Sequence, residues 1–256
     1  MIADFHNDVL TEKDLPVDKY LKGLDIGVLA LYKGDRNFNE LFEIANKYTG
    51  KHKIAFEDIG GITNAQLDKL ITFSPIYVTL TWNHKNDLAC GCNSSGNLSK
   101  RGKQIIKVLT QNNIYIDTAH LCKKSFIQIL DVTHKTINSH TCFKTIHDHI
   151  RNIDDEQIKL LNSRKSLIGI TFVANFLTSK NATSCDVVKQ IDYFVQKYGA
   201  NNLCFGSDFF GTKNLPVDIN SYNDLKKIEE KLVKLGYKER EINNIFYNNL
   251  SNFLNA

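Results

Sequence analysis

Ile114-Tyr115-Ile116-Asp117-Thr118-Ala119-His120 and, one helical segment later, Thr136-Ile137-Asn138-Ser139-His140 are the stretches on which the fold turns. Each opens with the apolar and β-branched residues of a buried strand, and each closes on a histidine. The same unit can be followed outward in both directions. Runs of this kind span Ile2 to Phe5, Leu24 to Tyr32, Lys53 to Phe56, Ile76 to Thr81, Ile114 to Thr118, Thr136 to Ser139, Leu167 to Val173 and Leu203 to Gly206. Eight strands alternating with helices predict an α/β chain of the (β/α)8, TIM-type barrel class, and 256 residues match the roughly 250 that such a barrel takes.

The helices between the runs show in their caps and apolar stripes. Ser184 to Gly199 is the clearest, with Val187, Val188, Ile191, Phe194, Val195 and Tyr198 on one face, Ser184 as the N-cap and Gly199 as the stop. That face is expected to pack on the outside of the barrel. Asp154 with Gln157, and Ser221 with Asp224, signal helix starts before Ile158, Leu161, Leu225, Ile228 and Leu232. Lys238 to Leu254 sets Ile242, Ile245, Phe246, Leu250, Phe253 and Leu254 on one stripe, which is expected to close the ring.

Composition narrows the function class. With 42% hydrophobic and 23% charged residues, only 3 Pro and no Ser/Gly-rich tract, residues 1–256 read as a single domain without a linker. A chain of 29.2 kDa buries its core without a structural metal, so a metal here would serve chemistry. The net charge of +4 is dispersed over isolated lysines, with no basic helix interleaved with aromatics, which argues against a nucleic-acid partner. No secretory leader and no apolar run of about 18 residues is visible, so a cytoplasmic protein without a membrane partner is expected. The 6 cysteines are then expected as free thiols. Cys90-x-Cys92 is too isolated a pair for a zinc site, and Cys122 and Cys142 are expected in first helical turns, facing away from the histidines two residues before them.

His6-Asn7-Asp8 ends the first run, and strand alternation turns both outer side chains to the same side, half of a site for a divalent ion. Alone the pattern is weak in a chain with 8 His and 28 acidic residues. Glu57 ends the third run before a turn with Gly60 and Gly61, where a carboxylate can bridge two ions or simply pair with a cation. A single strand-end histidine is more often a hydrogen-bonded turn residue than a ligand. His120 and His140, at equivalent ends of successive strands, shift that balance. Asp208 follows the eighth run, next to the first in a closed barrel, as a ligand or a proton-transfer group. Arg151, eleven residues past His140, is either an anion-binding guanidinium or an ordinary exposed arginine.

Together these segments resemble the membrane (renal) dipeptidase family of zinc dipeptidases, collinearly over nearly the whole chain. The resemblance is carried by Asp4-Phe5-His6-Asn7-Asp8, the Glu57 turn, Leu80-Thr81-Trp82-Asn83, Ile116-Asp117-Thr118-Ala119-His120, Ser139-His140-Thr141, Arg151-Asn152, Asp155-Glu156-Gln157 and Gly206-Ser207-Asp208-Phe209. It implies two zinc ions per chain: His6 and Asp8 would hold one, His120 and His140 the other, and Glu57 would bridge both. A hydroxide between the ions would attack the scissile carbonyl, Asp208 would shuttle the proton to the leaving amine, and Arg151 would bind the carboxylate of a small dipeptide. The family also implies a homodimer.

The chain departs from the family at Trp82, a substrate-binding position where the best-studied members carry histidine. Indole has one N–H donor and no basic nitrogen, so His84 or a different substrate must make up the difference. Phe210 stands where a second acidic residue is common, and the chain is shorter than the secreted mammalian relatives, which implies trimmed loops. Two other readings compete: an amidohydrolase-like barrel acting on another amide or ester, and a metal-binding homologue with impaired catalysis. His-x-Asp in place of the amidohydrolases' usual His-x-His counts against the first, and the presence of both Asp208 and Arg151 counts against the second.

Overall fold

The computed structural model describes residues 1–11, 15–50 and 52–256. The strands are β1 (Ala3–Asn7), β2 (Ile26–Tyr32), β3 (Lys53–Glu57), β4 (Tyr77–Thr79), β5 (Tyr115–Asp117), β6 (Thr136–Thr141), β7 (Ile168–Ile170) and β8 (Leu203–Phe205). They follow one another in chain order as a closed barrel, with parallel pairing and helices in the connections. The (β/α)8 class expected from the repeating runs is the one observed.

Strand limits differ from the apolar runs in a systematic way. The runs Ile76 to Thr81 and Leu167 to Val173 outlast their strands, because Leu80, Thr81, Phe172 and Val173 stay buried after the ladder has ended. Composition reports burial, whereas a strand ends where its hydrogen bonds do. Conversely, β1, β3 and β6 run past the last apolar residue, so His6, Glu57 and His140 lie within strands rather than just after them.

The residues group into two compact units. The first comprises Met1–Gly27 with Ser139–Ala256. Its Ser184–Tyr198 helix buries Val187, Val188, Ile191 and Phe194 of the expected face and leaves Val195 and Tyr198 half-buried, and the N-cap is Thr183, one residue earlier than expected. The Asp186 carboxylate accepts from the Thr183 N–H and hydroxyl, while Ser184 is drawn away to Asp218. Asp154 and Gln157 form the expected capping box ahead of the helix Asp155–Ser163. The Lys238–Leu254 stripe is one helical stretch interrupted by a π-helical turn, Asn244–Asn248. Phe246 from that turn meets Phe205 of β8 edge-on at 4.8 Å, and Phe253 meets Phe5 of β1 at 5.3 Å, which seals this side of the barrel core.

The second unit, Val28–Asn138, carries β3 to β5, most of β2 and the start of β6. Three of its helices start on side-chain caps at Asn37, Thr63 and Ser99, each accepting backbone N–H of the first turn, while Lys123–Val132 starts after Cys122 without one. Phe42, Phe56 and Phe73 cluster between helices and strand with centroids 5.4 to 6.4 Å apart. Among the described residues no disulfide joins any cysteine, and no helix is long and apolar enough to cross a membrane.

Candidate metal centre

In the first unit, β1 delivers His6 and, one residue beyond its end, Asp8. The His6 Nε2 and Asp8 Oδ2 atoms lie 3.2 Å apart, and both side chains are buried. β6 delivers His140, whose ring centroid is 3.9 Å from that of His6. Ser139 stands between the two rings, its Oγ 3.3 Å from His6 Nδ1 and 2.8 Å from His140 Nδ1. Arg151 fixes the direction of this chain of contacts. Its Nη2 lies 2.9 Å from His140 Nε2, and a guanidinium only donates, so that nitrogen accepts and His140 carries its proton on Nδ1. His140 then donates to Ser139, whose hydroxyl is left to donate to His6.

Arg151 is only 7% exposed, which rules out an ordinary surface arginine. It packs 5.4 Å from the Phe176 ring, and Thr141 donates to its carbonyl.

Asp208 is half-buried with φ 61°, a left-handed conformation that costs strain in a non-glycine residue. Its N–H donates to the His6 carbonyl at 3.1 Å, so β1 sets its place. A Cβ on Gly211 would fall 2.2 Å from Asp208 Oδ1 and 2.4 Å from Asp8 Oδ2, so only glycine lets the backbone pass beside both carboxylates.

Beneath this pair sits a network absent from the sequence-based site. Asp4, fully buried, accepts from the N–H and hydroxyl of Ser207, from the Tyr222 hydroxyl at 2.6 Å and from the His6 N–H at 3.3 Å. Asn7 donates to the Tyr222 oxygen in turn. Burial pushes the Asp4 carboxyl upward, and the Ser207 and Tyr222 donors pull against it.

In the second unit, β3 ends on Glu57, whose Oε1 is 2.8 Å from His120 Nε2. The turn after Glu57 is pinned to β4 and its loop. Asp58, at φ 61°, donates its N–H to Thr79 Oγ1, and Asn86 clamps the Asp58 carboxylate and the Leu80 carbonyl together. His120 lies three residues past β5 with φ 67°. Its Nδ1 meets Asn83 Oδ1 at 2.9 Å. An amide oxygen only accepts, so Nδ1 is the protonated nitrogen, and Nε2 faces the Glu57 carboxylate as the nitrogen available for a cation.

Trp82 is 37% exposed beside His120, and His84 is exposed as well. The neighbouring Tyr32, at the end of β2, has its hydroxyl pushed up to about 12, first by burial and then by Asp58 and Glu57. Cys122 caps the helix Lys123–Val132 and its thiol donates to the Gly96 carbonyl. Cys142 does not enter a helical turn as expected: it lies just beyond β6, fully buried, with its thiol on the Thr171 carbonyl.

Imidazole and carboxylate donors of this kind suit a divalent transition metal. The fit is supported by close pairing of buried ligand-capable atoms within each unit: His6 with Asp8, His6 with His140, and Glu57 with His120, each pair within 4.8 Å. A lone carboxylate or imidazole is poorly placed in such burial without a cation to share.

Several solved structures share this fold. A metallopeptidase from Rhodobacter sphaeroides, bound to a phosphinate mimic of the dipeptide L-Ala-D-Ala, superposes with TM-score 0.84 at 16% identity, covering 99% of this chain and 98% of the other. A family M19 dipeptidase named dipeptidase AC gives TM-score 0.87 at 16% identity, with 99% and 97% covered. An amidohydrolase from Pseudomonas aeruginosa gives 0.82 at 19%, with 99% and 95% covered. At these identities the likeness establishes the fold. The sequence pattern of the membrane dipeptidases matches residues 59–256, a stretch that holds Trp82, His120, His140, Arg151 and Asp208 and begins just after Glu57. A match over that much of the chain settles the family: this protein belongs to the membrane dipeptidases, peptidase family M19.

Proposed function

We propose that this chain, acting as one domain over residues 1–256, is a zinc-dependent dipeptidase with a two-metal centre. The observation that carries the reading is the opposition of buried imidazole and carboxylate at hydrogen-bond range, His120 Nε2 to Glu57 Oε1 at 2.8 Å, with Asn83 fixing the ring. Family membership supports the same conclusion.

In this reading His6 and Asp8 would hold one zinc, His120 and His140 would hold the other, and Glu57 would serve both. Bound there, a zinc pair would supply Lewis-acid polarisation of the scissile carbonyl and a water of lowered pKa. The remaining work belongs to side chains. Asn83 holds the Nδ1 side of His120, so that this ring presents Nε2. Ser139 lies against Nδ1 of both His6 and His140, where metal binding would need the Arg151 contact at His140 Nε2 and the His6 Nε2 proton to be given up. Arg151 would offer its guanidinium to the substrate's terminal carboxylate, which favours short substrates over chains. Asp208, anchored through its N–H on β1, carries a proton to the leaving amine. The Rhodobacter relative's ligand, a dipeptide mimic, is in keeping with this substrate class.

The test is metal content per purified chain, with hydrolysis of a panel of L-L and L-D dipeptides before and after chelation. About two zinc equivalents and chelator-sensitive cleavage are expected. A zinc-loaded protein that cleaves another amide but no dipeptide would move the assignment to the amidohydrolase-like reading, and failure to take up zinc would remove it.

Arg151 yields a sharper expectation. Loss of a charge-assisted hydrogen bond costs roughly 1.5–3 kcal/mol, so Arg151→Ala should raise KM for free dipeptides about 10–100-fold. C-terminally amidated dipeptides should be affected far less. Equal effects on both would exclude a carboxylate-binding role.

A further inference from the structure

We infer that Trp82 and Tyr32 form an aromatic wall that receives a large apolar or aromatic side chain of the substrate. The inference rests on the proposed dipeptidase activity and names the substrate class of that same site.

Tyr32 is the last residue of β2 and pairs in register with Glu57, the last residue of β3. Trp82 follows β4 by three residues, and so comes from the same strand ends. The two rings lie 5.3 Å apart at 44°, and the indole lies 6.0 Å from the His120 ring at 36°. Three flat groups therefore line up beside the Glu57–His120 pair.

The indole is the only tryptophan of the chain, and it is left 37% exposed. Tyr77, Phe56 and Phe126 are fully buried, whereas Trp82, like Tyr20 at 41%, keeps part of its ring in solvent. One exposed ring is ordinary on a protein surface, but an indole lying beside the Glu57–His120 pair offers apolar area where a substrate would lie. Indole has no basic nitrogen and cannot move protons at neutral pH, so beyond its one N–H donor it contributes apolar contact.

The loop that carries it is also pre-shaped. Thr81 donates to the His84 carbonyl, Asn93 N–H to the Asn83 carbonyl at 2.8 Å, and Asn83 holds His120. A Cβ on Gly91 would stand 2.1 Å from the Trp82 carbonyl oxygen, so the loop closes on itself without slack. A wall already in place need not be ordered when the ligand arrives.

Steady-state kinetics of wild type, Trp82→Ala and Trp82→Phe on Phe-Phe and Gly-Gly test the inference. Trp82→Ala is expected to lower kcat/KM for Phe-Phe at least tenfold further than for Gly-Gly, with the difference in KM. Trp82→Phe should restore most of the Phe-Phe preference. Equal losses on both substrates, as a contact to the dipeptide's ammonium or a general defect would produce, overturn the wall. A second arm needs no turnover: with one tryptophan to observe, N-acetyl-L-phenylalanine amide should shift the emission of the zinc-loaded protein and N-acetylglycine amide should not. No difference between these probes overturns the wall even in an active dipeptidase. A difference without cleavage of any dipeptide upholds the wall and removes the dipeptidase reading instead.

Discussion

Glu57→Gln is expected to abolish measurable dipeptide hydrolysis and to weaken metal binding at both positions. The substitution keeps volume and shape at a site only 4% exposed, so packing on β3 should survive. What changes is charge. A glutamine amide offers one weak neutral oxygen where the carboxylate offers two anionic ones, and its NH2 group would point a donor at His120 Nε2, 2.8 Å away in the native arrangement. Losing an outer-shell partner of a metal ligand costs roughly 10–100-fold in affinity, and a direct bridging ligand should cost more. Chelator competition on the purified variant measures this directly, with circular dichroism to verify the fold. Two metals held at wild-type affinity would sink the bridging role.

Asp4→Ala is expected to produce the largest loss of stability, about 4 kcal/mol, from a total that for most domains is roughly 5–15 kcal/mol. The side chain is fully buried and accepts from Ser207 twice, from Tyr222 and from the His6 backbone. Removing it strands the Ser207 and Tyr222 hydroxyls without their acceptor, at roughly 1–3 kcal/mol for each unsatisfied group and less than additively. Asp4→Asn keeps one acceptor oxygen and should lose markedly less. Urea unfolding measures both: the midpoint should fall with the slope unchanged. A midpoint for Asp4→Ala within about 0.5 kcal/mol of wild type would show that the network carries no stability. Because Asp4 braces β1 against Ser207, metal affinity at the proposed His6–Asp8 position should fall alongside.

The barrel was readable because each of its strands announces itself locally. Apolar runs such as Ile114 to Thr118 and Leu203 to Gly206 reflect burial on both faces, a property of the residues themselves and their immediate neighbours. The candidate ligands were readable only as a set: one histidine or carboxylate at a strand end is ordinary, but several at equivalent strand ends are not. His-x-Asp at positions 6 and 8 and the paired histidines 120 and 140 satisfy that rule.

Arg151 shows where local reading stops. Its neighbours in sequence are those of a surface loop, and only the path from β6 through Phe143 and Ile153 buries it against His140. Ser139, Asn83 and Asp4 are small polar residues with nothing distinctive about their settings in the sequence. Their roles come from partners brought by the fold: Asp4 and Ser207 are 203 positions apart, Ser139 and His6 133, and Asn83 and His120 37. The left-handed backbone of His120 and Asp208 belongs to the same class, since surrounding contacts must impose it.

The sequence by itself determined the strand and helix order, the barrel class and the residue types able to hold a metal, because periodicity and burial are written in short-range composition. The tertiary structure alone decided which nitrogen each histidine presents, which arginine is buried and which aromatic is left facing solvent. Those outcomes depend on hydrogen-bond partners and packing surfaces that only chain closure brings within reach.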